Sequence, residues 1–370
     1  MRVVVVSRVY ANPAARGKLK ALAGLGATVT AAVPDRWSPL GLGAEQQTVF
    51  GDEGGVRTVP IAVKGSTAPD GNPAWNRSAL RRLITDFKPD LIQIEEEPWT
   101  KAAATAAALA RRLRVPYVVL TRESLPANHG AMARVRRSRV LGHAKALLAV
   151  NELAAKIVAR QQPDLPRLVM PQLGVTLPLV SGRLSQVGLT IGFFGRLIPE
   201  KGLDLLFRAC VKLVGRWTIT VVGAGPAQEE LEALAERLGI AGRVTWLGAQ
   251  PRQRVDEVWP KLDVLVLPSR TAPRWIEGMP RAAMEAMAHG VPVIATSAGA
   301  LPEIVGNAGV VVNEEDVVAI AETLQRLHDD PAERDRLAAA GRQRVMSEFT
   351  DAAIAGKTLR FWRESIAATG

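Results

Sequence analysis

At 370 residues and 48% hydrophobic content, the chain has material for two or three domains, and with aromatics at only 5% their cores must be packed from Ala, Leu and Val. A single cysteine, Cys210, excludes an internal disulfide and fits a reducing compartment. No stretch approaches the ~18 uninterrupted apolar residues of a membrane span, and the four-residue valine run of "MRVVVVSRVY" is too short for a signal-peptide core. A cytoplasmic protein is therefore expected.

The net charge of +11 is one-sided. Residues 1–180 hold 25 Lys+Arg against 13 Asp+Glu, and residues 181–370 hold 22 against 23. The two halves should therefore meet different partners. The densest cluster, "ARVRRSRVLGHAK", carries Arg134, Arg136, Arg137 and Arg139. It reads either as a solvated helical face or as a surface for anionic lipid or an acidic acceptor at the inner face of the membrane. Nucleic acid is disfavoured, because no aromatic residues interleave with the arginines as stacking platforms would.

In chain order, "RVVVVS" reads as a buried strand, "ARGKLKALAGLG" as a helix closed by Gly26, and "ATVTAAVP" as the next strand. "DLIQIEE" (90–96), an Ala-rich helix over 101–113, "PYVVLT", "KALLAVN" and the helix "ELAAKIVARQ" continue the alternation. A Gly-, Pro- and Ser-rich stretch near residue 180 interrupts it. It then restarts: "LTIGFFG", "GLDLLFRACVKLV", "WTITVVG", "AQEELEALAERLG", "RVTWLG", "DVLVLPS", a helix over 280–288, "PVIAT" and "GVVVN", with three closing helices. Short apolar strands between amphipathic helices predict parallel sheets covered on both faces. Two such runs predict an α/β protein of two doubly wound domains facing each other across a cleft. Cys210, within "LFRACVKL", reads as a buried helix position rather than a catalytic thiol.

Ligands of doubly wound sheets bind beyond the carboxyl ends of the strands, so the loops there carry the chemistry. After "IGFFG", Arg196 and Lys201 stand five residues apart before a helix start. That is a receptor for a diphosphate, unless Lys201 is surface decoration. "VVGAGP" offers glycines but lacks the third glycine of a dinucleotide fingerprint. After "DVLVLPS" comes "RTAPRWIEGMP", then a helix with Pro280 in its first turn. Glu277 precedes that helix, where a carboxylate can accept from sugar hydroxyls. Glu285 is the lone charge among Ala282, Ala283, Met284, Ala286 and Met287. Such isolation fits a carboxylate facing a hydroxylated ligand such as a ribose. In the first half, Glu95, Glu96 and Glu97 end a strand, so one of them contacts an acceptor or caps the next helix. Trp99 and Trp275 are either sugar-stacking platforms or core residues. His143, His289 and His328 lack metal-ligand spacing.

These residues resemble a known family. "GRLIPEKGLDLL", "VVGAGP", "RVTWLG", "DVLVLPSR…WIEG", "EAMAHGVPVIATSAGALPEIVG" and "GVVV" are similar, in order and spacing, to the C-terminal half of family 4 retaining glycosyltransferases. "PDLIQIEEEPWT" is similar to an acceptor-domain segment of one branch, and "DAAIAGKTLRFWRESI" to the family's returning final helix. The resemblance implies the GT-B fold, with an acceptor-binding Rossmann-like domain over 1–180, a nucleotide-sugar-binding one over 181–347, and a helix over 348–370 crossing back to the first. It implies a retaining, metal-independent transfer from a nucleotide-diphosphate sugar, UDP- or GDP-type, to a hydroxyl of a glycan, a lipid-linked or a small-molecule acceptor, with no further cofactor.

By the same resemblance Glu277 meets the donor sugar, Glu285 the ribose, and Arg196 and Lys201 the diphosphate. Gly195, Gly278, Met279, Arg281 and Gly17 complete the donor side, with Arg16 and Lys18 beside Gly17 as phosphate contacts. Glu97, Arg122, Glu123 and His129 are the acceptor-side candidates. Three features depart from the family pattern. Gly278-Met279-Pro280 follows the first glutamate, and Pro280 has no N–H to offer a donor. The first strand's loop has only Gly17, and Thr121-Arg122-Glu123 stand where relatives place a histidine. These departures leave open a weakly active or non-catalytic sugar-nucleotide-binding protein. A sugar-nucleotide epimerase would need acid/base residues that the sequence does not offer.

Overall fold

The computed structural model describes residues 1–37, 45–65, 71–178 and 188–367, apart from the side chains of 252 and 253. The chain forms two compact units, Met1–Gly174 joined by the chain from Asp351 onward, and Val175–Thr350. The break expected near 180 falls in 179–187, outside the described residues. The change of unit comes at Gly174/Val175, and the return at Thr350/Asp351 rather than at 347/348. Val175 N donates to Phe349 O at 2.9 Å and bridges to Thr350, so the second unit begins and ends at adjacent points.

The first unit is built on an eight-stranded sheet in the order Arg167–Val169, Ala146–Ala149, Tyr117–Thr121, Leu91–Ile94, Arg2–Val6, Thr28–Pro34, Val56–Ile61, Gly51–Glu53. Every pairing is parallel except that of the edge strand Gly51–Glu53. The run of valines in the first strand follows from this position. Val3 and Val5 pack on one face with Leu19, Leu22, Ile354 and Trp362, and Val4 and Val6 on the other with Leu80, Ile84, Ala103 and Ala106. Alternate side chains point to opposite faces, so a strand covered on both sides must be apolar throughout. The final helix, Asp351–Ala367, thus supplies core to the first unit.

The second unit holds a six-stranded sheet, all parallel, in the order Val244–Trp246, Trp217–Val222, Leu189–Phe194, Val264–Leu267, Val293–Thr296, Val310–Val312. In chain order this is 3-2-1-4-5-6, the doubly wound dinucleotide-fold order, and the first unit's sheet follows the same rule. Val264 and Val266 face one core cluster with Leu206, Phe207 and Leu324. Leu265 and Leu267 face another with Ala283, Met284, Ala286 and Met287 of the helix Arg281–Ala288. Among the described residues, no helix is long and apolar enough to cross a membrane.

Between residues 35 and 89 the hydrophobic pattern marks no element. There the structure adds Val56–Ile61, Gly51–Glu53, the two-residue pairs Arg36–Trp37 with Gln46–Gln47 and Val63–Lys64 with Ala74–Trp75, and the helix Arg77–Phe87. Asn76 caps that helix, its Oδ1 accepting from Ala79 N at 3.0 Å.

Three buried acids carry a testable consequence. Burial pushes the Tyr10 phenol well above its ordinary value of 10.0, aided by the nearby Glu95 carboxylate, and burial likewise raises Tyr117 and the Cys210 thiol, the latter from 9.0. The folded state keeps these protons where the unfolded state releases them. Stability from this source is therefore complete below about pH 9 and falls as pH rises beyond it, by about 1.4 kcal/mol per unit for each group passed. Urea midpoints measured between about pH 8 and about pH 11 should decline, less steeply in Cys210→Ala; a flat profile would refute the account.

Candidate active site

In the second unit the order of strands reverses between Leu189–Phe194 and Val264–Leu267, which are paired neighbours. The loops leaving these strands carry the residues the sequence singled out. Lys201 closes the short turn Pro199–Lys201 after the first strand, and Ser269 and Glu277 follow the second. Lys201 Nζ lies 2.6 Å from Glu277 Oε2, and Ser269 Oγ donates to the same oxygen at 3.0 Å. The side chains are 16% and 8% exposed, so the pair is sheltered but reachable. Lys201 Nζ also stands 5.3 Å from the Trp275 ring centroid, a cation–π arrangement.

Backbone packing holds this cluster in place. Ala300 N donates to Glu277 O at 2.8 Å, and Gly299, at φ +57°, comes so close that a Cβ there would sit 2.2 Å from that carbonyl oxygen. Only glycine satisfies both conditions. The long charged loop is anchored at its start, Arg270 pairing with Asp204 at 3.0 Å and Glu315 at 2.7 Å, and Thr271 with Glu314. Ala272 and Trp275 exchange backbone hydrogen bonds, closing a turn that presents the indole to Lys201. The glycines of "VVGAGP" serve packing as well: a Cβ on Gly223 would meet Gly195 O at 1.8 Å, and one on Gly225 would meet Leu197 O at 2.3 Å. Leu197 N donates to Ala224 O at 3.0 Å. Arg196, between them, is exposed and has no ion pair among the described residues.

The helix Arg281–Ala288 buries Ala283, Met284, Ala286 and Met287. Its remaining face carries Arg281 and Glu285, paired at 2.7 Å across one turn. Glu285 is therefore lone in sequence but not in space. Gly278 and Met279 continue the loop from Glu277. Pro280 sits immediately before the helix rather than in its first turn, at φ −77°, ψ 73°, and Arg281 N donates to Met279 O at 2.8 Å. This is an inverse γ-turn. Two backbone positions at the helix start are thereby withdrawn, one because proline has no N–H and one because its N–H is occupied.

In the first unit, the three consecutive glutamates take separate partners and none caps the following helix, whose cap is Thr100 Oγ1, accepting from Ala103 N. Glu95 is fully buried against Lys18 Nζ at 2.6 Å and Gln172 Nε2 at 2.8 Å. Glu96 takes Arg8. Glu97 takes Thr121 Oγ1 and Arg122 N, both at 2.8 Å, with Arg122 Nε at 3.5 Å. Glu123 binds His129 Nε2 at 2.7 Å and Arg137 Nη1 at 2.9 Å, and His129 stacks on Trp99 at 4.4 Å. The acceptor-side candidates thus form two carboxylate-centred groups beyond the strand Tyr117–Thr121. The expectation that Arg16 and Lys18 contact phosphate does not hold. Lys18 is wholly consumed by Glu95, and Arg16, buried, donates to Tyr10 O and Ala11 O. Gly17 starts the helix Gly17–Gly24 against Asp351, where a Cβ would lie 1.9 Å from Oδ2.

Residues 185–344 match the family described as Glycosyl transferases group 1, and residues 11–172 the Glycosyl transferase 4-like domain. Among curated proteins, a 2-deoxystreptamine glucosyltransferase of Streptomyces kanamyceticus is 30% identical over 75% of this chain and 79% of its own. The chain belongs to the family 4 glycosyltransferases. A GDP-mannose-dependent phosphatidylinositol monomannoside mannosyltransferase of Mycolicibacterium smegmatis is 37% identical to this glycosyltransferase over 42% of either chain. Two solved structures match its fold at a TM-score of 0.72: sucrose-phosphate synthase of Thermosynechococcus elongatus, at 20% identity over all of both chains, and Anabaena HepE in complex with UDP, at 18% over 98% and 100%. The glycosyltransferase therefore has the GT-B fold.

Ser269 and Gly299 escape a reading by motif. Ser269 carries one available signal, a hydroxyl directly beyond a strand's carboxyl end. Gly299→Ala should lower stability by about 1–3 kcal/mol through left-handed strain and further through its clash with Glu277 O. Gly239→Ala, at φ +70° with open space around it, should show the strain alone. Urea unfolding of both variants separates strain from clash, and equal destabilisation in both would count against the packing role of Gly299.

Proposed function

We propose that the chain transfers a sugar, with retention at the anomeric carbon, from a UDP- or GDP-type donor to an acceptor hydroxyl, without a metal ion. The observation that carries this reading is the Lys201–Glu277 contact at 2.6 Å beside the exposed Arg196. An arriving donor would replace that contact with two better-matched ones, a sugar hydroxyl donating to Glu277 and a phosphate oxygen accepting from Lys201. Glu285 would turn from Arg281 to the ribose hydroxyls, leaving Arg281 facing the diphosphate. Arg196 and Lys201 bring two whole positive charges to the leaving diphosphate, which is the charge compensation a divalent ion would otherwise give. The acceptor oxygen bonds to the anomeric carbon on the face the diphosphate leaves, and its proton passes to the departing phosphate oxygen.

The donor class is supported by the mycolicibacterial relative, which is GDP-mannose-dependent, while HepE, solved in complex with UDP, shares the fold. The acceptors named for the Streptomyces and mycolicibacterial relatives, 2-deoxystreptamine and a phosphatidylinositol monomannoside, support a small-molecule or lipid-linked hydroxyl here. We place the first unit at the acceptor, through Glu97, Arg122, Glu123 and His129. We place the protein in the cytoplasm, touching anionic membrane through the helix Ala131–Leu141, where Met132 and Val135 are exposed among the arginines. The turn at Pro280 favours a second reading, a weaker grip on the donor than the family pattern gives.

A ligand that binds only the folded state at about 100 times its dissociation constant stabilises by roughly 2.7 kcal/mol. A thermal-shift panel of UDP-, GDP- and ADP-sugars should therefore give a clear shift with one base, abolished in Glu285→Ala. No shift with any of them would sink the donor reading. In turnover, Arg196→Ala and Lys201→Ala should each lower kcat by about 10²–10³-fold, while EDTA leaves the rate unchanged and the product keeps the donor's anomeric configuration. An inverted product, a changed sugar or a rate that needs a divalent ion would each refute its part. Pro280→Gly should tighten donor binding about fivefold, the worth of one restored hydrogen bond.

A further inference from the structure

Arg137, in the helix Ala131–Leu141, is 6% exposed. Its Nη1 donates to Glu123, whose other oxygen takes His129, so one carboxylate serves two basic side chains. Nε and Nη2 of Arg137 are buried and have no acceptor among the described residues. A guanidinium has five N–H donors and no way to shed its charge. Donors left buried without acceptors carry their full desolvation cost, and folded proteins nearly always supply a partner.

Arg137 also lines a pocket of about 420 Å³, within the ~300–1,000 Å³ usual for small-ligand sites. Arg134, Ser138, His129, Gln161 and Gln162 line it too. Arg134, Arg137 and Ser138 fall at i, i+3 and i+4, and so on one helix face. Among the described residues, no carboxylate lines the pocket. Two arginines, a hydroxyl, an imidazole and two amides surround a space that suits an anion with several acceptor oxygens. A carboxylate offers two such oxygens and one charge, whereas a terminal phosphate offers three and nearly two charges, which suits a pair of arginines.

We propose that this pocket binds a phosphate group, carried by a soluble phosphorylated molecule or by a phospholipid headgroup. All of its residues lie in the first unit and none on the donor loops, so it stands or falls independently of the donor reading. The test is the melting temperature of the full chain in inorganic phosphate against sodium chloride of equal ionic strength. Four proteins are compared: wild type, Arg134→Ser, Arg137→Lys and Lys201→Ala. Arg137→Lys keeps the charge beside Glu123 and removes the two unpartnered donors. Phosphate should raise the melting point of wild type and of Lys201→Ala, with affinity about tenfold weaker in each arginine variant, as loss of a charge-assisted contact implies.

No shift beyond chloride would overturn the proposal. So would a shift that both arginine variants retain, or one lost only in Lys201→Ala, which would put the phosphate on the donor loops. Should Arg137→Lys fail to fold, the exposed Arg134→Ser decides. Vesicle co-sedimentation distinguishes the source. Capture by phosphatidic acid in preference to phosphatidylglycerol at matched surface charge, lost in Arg134→Ser, assigns a headgroup. A phosphate-dependent shift without that preference assigns a soluble phosphorylated molecule.

Discussion

A parallel strand cannot return by a hairpin; its chain must cross over one face of the sheet before the next strand begins. Where the strand order reverses, neighbouring strands send their crossovers to opposite faces, and the loops between them part. The chemistry of the second unit depends on that single constraint. It is why Lys201 from one loop and Glu277 from another, 76 residues apart in sequence, can share a hydrogen bond. Around them the chain uses backbone more than side chains: Gly299 lets a neighbouring loop lie against Glu277, and Gly223 and Gly225 let another lie against residues 195–197. The precision of the site comes from main-chain packing, and its charge from very few residues.

The first unit obeys the same topology but spends its polar groups differently. At its reversal, between Arg2–Val6 and Leu91–Ile94, the carboxylates turn inward. Glu95 is met by Lys18, Gln93 and Gln172, and Gln93 in turn accepts from Trp362 Nε1. A buried ion pair of this kind adds little to stability over an apolar substitute, but breaking one partner away is costly. It therefore fixes the relative placement of the helix Gly17–Gly24, the central strands and the final helix. The groups around Glu97 and Glu123 are left partly open to solvent.

Much of the fold was legible in the sequence because its signals are local. Valine runs declare buried strands, and loops beyond neighbouring strands are where Lys201 and Glu277 come together. The failures share a cause, which is that pairing across long sequence distance leaves no local trace. Lys18 looks like a phosphate contact until Glu95, 77 residues away, is seen to occupy it. Arg281 and Glu285 are four residues apart, yet only the burial of the helix's other face shows that they pair. The strands Arg36–Trp37 and Val63–Lys64 are too short for alternation to register, and their partners are equally short. The Arg137 pocket needs three separated segments before it exists at all.

The docking of the final helix has a consequence for how the protein is made. Residues 354–362 fill space against Val3, Val5 and Leu22, which leave the ribosome well before them. The nascent first unit must wait, its sheet face uncovered, while the whole of the second unit is synthesised and folds. Translation at about 5–20 residues per second makes that exposure last many seconds. The protein should thus be a client of chaperones during synthesis to a degree that its finished form, with that face closed by Trp362, does not betray.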